Sequence, residues 1–91
     1  MILNMYVYHD KKLATYSLPI FDAKPVEAFK EELIRAIKLG AKIPAQMREA
    51  DLYFLGTFDD KTCKCEIRSP EFLTSISEHL TKENIEDGES A

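Results

Sequence analysis

Apolar and polar side chains alternate along residues 3–8, which is typical of a strand that buries one of its faces. The polar residues 9–12 then predict a turn, and pairing His9 with Lys12 across it gathers the apolar side chains of both strands on one face. A four-residue loop is the alternative, and it leaves the same alternation. Either register leaves a second face that carries Tyr6, Tyr8, Leu13 and Thr15.

The segment between Pro19 and Gly40 predicts a helix. Asp22 to Pro25 supplies residues that favour a helix start, because proline is tolerated in the first turn, and Gly40 favours the end of the helix. Apolar residues recur in between at spacings of three and four, so they fall on one helical face. This apolar stripe consists of Val26, Phe29, Leu33, Ala36 and Ile37, and Ile34 widens it.

A second pair of strands is predicted from residue 51 onward. Residues 51–58 form the first strand and residues 59–62 form the turn that follows it. Closing Phe58 against Cys63 again gathers the apolar residues on one face. That face contains Leu52, Phe54, Phe58, Cys63, Cys65 and Ile67, and the opposite face contains Tyr53, Leu55, Thr57, Lys64, Glu66 and Arg68.

A second helix is predicted next, with Ser69 as its N-cap, Pro70 at its first position and Glu71 in its first turn. Its apolar stripe is formed by Phe72, Leu73, Ile76 and Leu80. Because each helix has one apolar stripe, both helices cover the same face of a four-stranded sheet. We therefore predict an α+β fold of ββαββα order, in which two antiparallel β-hairpins form a sheet with two helices on one face.

The 91-residue chain is expected to form one α+β domain over residues 1–80, followed by an acidic, disordered tail over residues 81–91. The chain has 12 basic and 16 acidic residues, and four of the acidic residues lie in the last nine positions, where no basic residue occurs. Residues 1–82 therefore have a net charge of zero. The acidic pI of about 5.1 comes from the tail and counts only weakly against a nucleic-acid partner.

The expected location is cytoplasmic. No apolar run is long enough to cross a membrane, and the apolar start lacks the basic flank of a signal peptide. Cys63 and Cys65 lie two residues apart and are the only cysteines, so we expect reduced thiols rather than a disulfide framework. We also expect no membrane association.

Little in the sequence indicates catalysis. His9 and His79 fall in separate predicted elements, and the two cysteines lack the further ligands that a zinc site requires. The three glycines are scattered rather than grouped in a phosphate-binding loop, and Asp59 and Asp60 are explained by turn formation. We therefore expect no enzyme activity, no metal and no cofactor.

The uncovered face of the predicted sheet is the remaining candidate for a binding surface. Tyrosines that stack on bases, interleaved with cations that contact phosphates, are typical of sheets that bind single-stranded nucleic acid. The same side chains would also suit a homodimer interface or have no role. From the residues alone, dimerisation ranks first, nucleic acid second and no role third. The predicted nucleic-acid-binding residues are Tyr6, Tyr8, Lys11, Lys12, Tyr53, Lys61, Lys64 and Arg68.

Three segments resemble the small nonstructural protein of gokushoviruses, which are single-stranded DNA bacteriophages of the microvirus group. They are residues 8–21, residues 52–62 with the specific run Leu-Gly-Thr-Phe-Asp-Asp, and residues 69–73. Together the resemblance spans about residues 5–80. Family members usually carry Thr-Gly after the Asp-Asp turn, where this chain has Cys63, so the turn geometry is expected to differ. Residues 47–51 also replace a His-Pro-Glu-Asp run that could be a contact loop.

The resemblance implies a non-enzymatic phage protein of the host bacterial cytoplasm that binds DNA or acts at the switch between genome replication and packaging during viral replication. Our first hypothesis is therefore a small dimeric protein that binds single-stranded DNA through backbone charge and stacked tyrosines. The alternative is a protein–protein interaction module without nucleic-acid affinity, which binds a phage replication or capsid protein or a host protein.

Overall fold

Long antiparallel strands dominate the fold. The computed structural model describes residues 1–84, and over these residues a five-stranded sheet carries one α-helix on one of its faces. The strands are β1 (Ile2–Asp10), β2 (Thr15–Tyr16), β3 (Ile20–Asp22), β4 (Ala50–Asp59) and β5 (Cys65–Ser75), and helix α1 (Val26–Lys38) lies between β3 and β4. Short 3₁₀ turns occur at Ala45–Met47, Ile76–Glu78 and Lys82–Asn84.

Strands β1 and β4 form the centre of the sheet and pair with each other along their whole length. Strands β2 and β3 share the outer edge of β1, and β5 pairs with the outer edge of β4. Asp10 pairs with Thr15, so the loop of the first hairpin has four residues rather than two. The α+β class and the antiparallel sheet predicted from the sequence are confirmed.

The second helix predicted from Ser69 is wrong, because this segment belongs to β5. Ile67 pairs with Gly56 and Glu71 pairs with Phe54, so residues 68–70 lie outside the pairing register. Pro70 is tolerated there because an edge strand with a local interruption does not need its missing N–H group. The strand gives β4 a hydrogen-bonded partner, which a helix over the same residues would not supply. The order of elements is therefore βββαββ rather than ββαββα.

At Gly56, the alternation of the β4 side chains between the two faces of the sheet is shifted. The pairing register shifts between Phe54 and Gly56, which is the signature of a β-bulge. Gly56 has a φ of +153°, and a Cβ atom there would lie 1.9 Å from the backbone oxygen of Glu66, so only glycine fits. As a result Phe54 and Phe58 lie on opposite faces, and the prediction that they share one face is wrong.

The face of the sheet that packs against α1, called the covered face here, holds the hydrophobic core. Tyr6 is fully buried, and its ring stacks on Phe29 of α1 with centroids 3.9 Å apart and planes inclined by 8°. Each fully buried large apolar side chain stabilises the fold by about 1.5–3 kcal/mol. The core clusters contain Tyr6, Leu52 and Phe54 near the middle of α1, and Ile37, Ala50 and Ile76 near its end.

The face predicted for the tyrosines of β1 is wrong. Tyr6 lies on the covered face, and Tyr8 packs against both core clusters. Met5 and Val7, which were expected to face a helix, point to the other side and are still only 2% and 4% exposed. Alternation identifies the side chains that share a face, but it does not identify the face that the helix covers when both faces are largely apolar.

The turn between β4 and β5 contains a non-glycine residue in the left-handed region. Cys63 has a φ of 62°, and its N–H group donates to the backbone oxygen of Asp59 at 2.8 Å. A cysteine in this conformation is strained because its Cβ atom crowds the backbone. The turn between β4 and β5 therefore contains a strained left-handed residue.

The chain after β5 returns to the C-terminal end of α1, where Asn84 fixes it. The buried side-chain amide of Asn84 donates to the backbone oxygens of Ile37 at 2.8 Å and Ala41 at 2.6 Å, and it accepts the N–H group of Thr81. The bond to Ile37 adds to the one that this oxygen accepts from the N–H group of Gly40, and the bond to Ala41 satisfies a carbonyl group just beyond the helix end. Residues 81–84 of the predicted tail therefore pack against the domain, and residues 85–91 lie outside the described residues.

Candidate interaction surface on the open face of the sheet

The side of the sheet opposite α1 is called the open face here. The helical and 3₁₀ elements of residues 1–84 contact either the covered face or the end of α1, so the described part of the chain places none of them on the open face. Strand pairing defines its members. The open face consists of Leu3, Met5, Val7, His9, Tyr16, Phe21, Asp51, Tyr53, Phe58, Cys65, Ile67, Phe72 and Ser75.

Four rings form a row across one end of the open face, from β2 through β1 and β4 to β5. The centroid of Tyr16 lies 4.6 Å from that of His9 and 6.1 Å from that of Tyr53, and Tyr53 lies 5.8 Å from Phe72. Tyr16 and Phe72 at the two ends are 54% and 51% exposed. We call these four residues the aromatic row. Its rings meet at tilted and edge-to-face angles, which favour attraction between aromatic side chains.

A second apolar group occupies the other end of the open face. The ring of Phe21 lies 5.6 Å from that of Phe58, and the sulfur of Cys65 lies 3.9 Å from that of Met5. Ile67 beside them is 65% exposed. Met5 and Val7 lie between the two ends and are buried, so the accessible apolar surface is formed by the larger side chains around them. Exposed apolar patches of this extent mark interaction sites more often than ordinary surface.

The open face is nearly uncharged. Asp51 is the one carboxylate at its strand positions within residues 1–84, and it is only 8% exposed. The hydroxyl of Ser75 donates to Asp51 at 2.6 Å, and the ammonium group of Lys11 lies 3.4 Å from the same oxygen. The charge of Asp51 is therefore compensated inside the protein, and a partner that approaches this face meets apolar rings rather than a field of one sign.

Three of the predicted nucleic-acid-binding residues lie on the wrong face for a shared platform. Tyr6 and Tyr8 belong to the covered face, and the guanidinium carbon of Arg68 lies 4.7 Å above the ring centre of buried Phe54. Burial raises the pKa of both tyrosines, and Asp22 adds to the effect at Tyr6. Among the three predicted tyrosines, only Tyr53 lies on the open face.

The predicted lysines do not form one cationic patch either. Lys11 and Lys12 lie in the turn after β1, where Lys12 is 3.6 Å from Glu49, and Lys61 and Lys64 lie in the turn after β4. Because β1 and β4 are antiparallel, these two turns lie at opposite ends of the sheet. A nine-residue strand is about 30 Å long. The structure therefore does not bring the eight predicted residues together.

Sequence reasoning missed most members of the open face. Tyr16 was predicted to share a face with Met5, but on the side that meets the helices. Phe21 lies beyond Pro19, where the predicted hairpin ends, whereas in the structure the edge continues as β3 after residues 17–19. Phe72 was placed in a helical stripe. Two signals in the sequence could have identified this face. An isolated glycine inside a strand pattern indicates a bulge, and Gly56 is such a residue. The run Phe72 to Ser75 also has the β-branched and aromatic character of a strand.

No group of three His, Cys, Asp or Glu side chains within residues 1–84 could hold a metal ion. The same part of the chain contains no helix that is long and apolar enough to cross a bilayer. In the comparisons with known proteins, no family model, no curated protein and no solved structure matches the chain. Its function is therefore argued from its own residues.

Proposed function

We propose that this chain is a non-enzymatic interaction module that binds a protein partner through the open face. The observation that supports the proposal most is the set of exposed apolar side chains on the open face, namely Tyr16, Phe21, Ile67 and Phe72, with the single carboxylate of that face already compensated by Ser75 and Lys11. Protein interfaces have an apolar, aromatic-rich core that is depleted of charge, and this face has the same composition.

The resemblance to gokushovirus nonstructural proteins extends this proposal to a biological setting. In that setting the module acts in the host bacterial cytoplasm, around the replication and packaging of a single-stranded DNA phage genome. Its partner is then a phage replication or capsid protein or a host factor. Residues 47–51, where the sequence departs from the family, run from the end of a 3₁₀ turn into the start of β4. Met47 and Ala50 pack in the core under the covered face, and Asp51 lies on the open face.

Binding of single-stranded DNA is the second candidate, and the aromatic row is the observation that favours it. Tyr16, Tyr53 and Phe72 present rings on which bases could stack, and Lys11 and Lys12 lie in the turn at the same end of the sheet. Each stacked base contributes about 1–3 kcal/mol. Both lysines already contact carboxylates, however, so this arrangement supplies less free positive charge than a phosphate backbone requires.

The two candidates are separated by one variant measured in two assays. Phe72→Lys inserts a charge into the aromatic row, and Leu39→Lys is the matched control because Leu39 is 79% exposed at the end of α1, away from the open face. In nuclease-treated extracts of infected cells, the wild-type chain and Leu39→Lys should retain the same protein partner, and Phe72→Lys should lose it. Equal retention by all three chains would contradict the proposal.

The second assay is fluorescence anisotropy with a labelled single-stranded oligonucleotide at low salt. The protein-module proposal predicts no binding by the wild-type chain. Binding that weakens steeply with added salt and is lost in Tyr16→Ala, but not in Leu39→Ala, would favour the DNA candidate instead.

A further inference from the structure

The dimensions of the open face match those of a protein dimer interface. The sheet is four strands wide at a spacing of about 4.8 Å, and its strands are about 30 Å long. The flat area of the open face is therefore roughly 600 Å² per copy, to which protruding side chains add. A standard stable interface buries about 800 Å² per partner. Two such faces together give about 1,200 Å², which is the lower end of the range of specific protein interfaces. Facing sheets pack about 10 Å apart with interdigitating side chains.

The charge distribution makes the open face compatible with a second copy of itself. In a two-fold interface, the residues near the axis contact their own equivalents, so a charge near the centre would face an identical charge. The centre of the open face is formed by Met5, Val7 and Tyr53, which are uncharged. Asp51 lies at one end of the sheet and is compensated within its own chain.

The sheet edges and the outer side of α1 are poorer surfaces for self-association. One edge is interrupted at residues 17–19, which include Pro19, and the other at residues 68–70, which include Pro70. Interruptions and prolines at edges oppose strand addition. The exposed side of α1 carries many charges, namely Glu27, Glu31, Glu32, Arg35 and Lys38. The open face is therefore the apolar surface that two copies can share.

We infer that the open face binds a second copy of this chain, so that two sheets pack face to face with the helices on the outside. This inference depends on the proposed function, because it names the partner that the open face binds. The second copy would cover the exposed side chains of Tyr16, Ile67 and Phe72.

The test is the mass of the full chain in solution, measured by sedimentation equilibrium over a wide range of concentrations. The wild-type chain and Leu39→Lys should approach twice the monomer mass of 10.4 kDa, and Phe72→Lys and Ile67→Lys should remain at the monomer mass. A wild-type chain that stays monomeric throughout the range, or a dimer that persists in both open-face variants, would overturn the inference. Circular dichroism establishes that each variant is folded.

A second measurement applies even if an open-face variant does not fold. Cys65 lies on the open face and is exposed in the single chain. In Cys63→Ser, alkylation of Cys65 should slow severalfold as the protein concentration rises, because dimerisation covers the thiol. A rate that is independent of concentration would contradict the inference. If the wild-type chain is monomeric and still captures a protein partner that the Phe72→Lys variant loses, only the second-copy inference is contradicted. The proposed function would then stand.

Discussion

The two faces of the sheet are built from similar side chains but have different roles, because one forms the core and the other remains accessible. On the covered face, Tyr6 and Phe54 are closed off by α1 and contribute to stability. On the open face, Tyr53 and Phe72 form ring contacts with each other but remain accessible to solvent. The comparison shows that an aromatic residue in a strand indicates function only after its face is known, because the same residue type can be core or contact surface.

The largest difference between the faces is expected in stability. Tyr6→Ala should lower the free energy of unfolding by about 3–5 kcal/mol, because it removes a fully buried ring that stacks on Phe29. Phe72→Ala should lower it by about 1 kcal/mol or less, because half of that ring is exposed. Urea unfolding at a concentration at which the chain is monomeric measures both values. Equal losses would contradict the assignment of the two faces.

The next largest effect on stability is expected at Gly56, in the bulge where the side chains of β4 change faces. Gly56→Ala should destabilise the protein by about 2–3 kcal/mol, because the new Cβ atom would overlap the backbone of Glu66 at a φ that favours glycine. Thr57→Ala, one residue along the same strand, is the matched control and should change stability little. Hydrogen exchange at the paired amides of β4 and β5 should rise in the glycine variant alone.

The hydrogen bonds of Asn84 at the end of α1 should contribute less to the free energy of unfolding than Gly56 in the bulge. Asn84→Ala removes the side-chain donors to the backbone oxygens of Ile37 and Ala41, of which Ile37 keeps the N–H group of Gly40 as a donor, so stability should fall by about 1–3 kcal/mol. Glu31→Ala, at an exposed site of α1, is the control and should change it by no more than about 0.5 kcal/mol. If both variants unfold at the same urea concentration, the chain after β5 is not anchored by Asn84.

The smallest expected difference concerns alkaline pH. Burial raises the pKa of Tyr8 above that of the unfolded chain, so the neutral phenol favours the folded state. This contribution is complete below the unfolded pKa of about 10 and is lost as the pH rises through the folded value. The free energy of unfolding should therefore fall less steeply above pH 10 in Tyr8→Phe than in the wild-type chain. Identical pH profiles would place Tyr8 in solvent.

Local sequence signals predicted much of the fold but not the assignment of its faces. Helix α1 was predicted because its apolar stripe and its proline and glycine boundaries agree, and the strand pattern of β1 and β4 was equally clear. The segment after Arg68 was misassigned because a Ser-Pro-Glu run favours a helix start locally. The need of β4 for a second hydrogen-bonded partner outweighs that local preference.

The candidate site was harder to predict for a physical reason. One face of β1 carries aliphatic side chains and the other carries tyrosines that can also be buried, so the sequence alone does not say which face α1 covers. The stacking of Tyr6 on Phe29 decides it. The bulge at Gly56 then moves Phe58 to the open face together with Tyr53. Only Tyr53 of the predicted tyrosines was assigned to its correct side, and the remaining members of the open face depend on long-range strand register.

The most direct test of the central claim is chemical footprinting of the aromatic side chains, with and without association. Covalent labelling of Tyr16 and Phe72 should decrease severalfold as the protein concentration rises or as a captured partner is added, and labelling of Leu39 should not change. Protection of Leu39 and the exposed side of α1, with Tyr16 and Phe72 labelled as in the isolated chain, would contradict the assignment of the open face as the interaction surface.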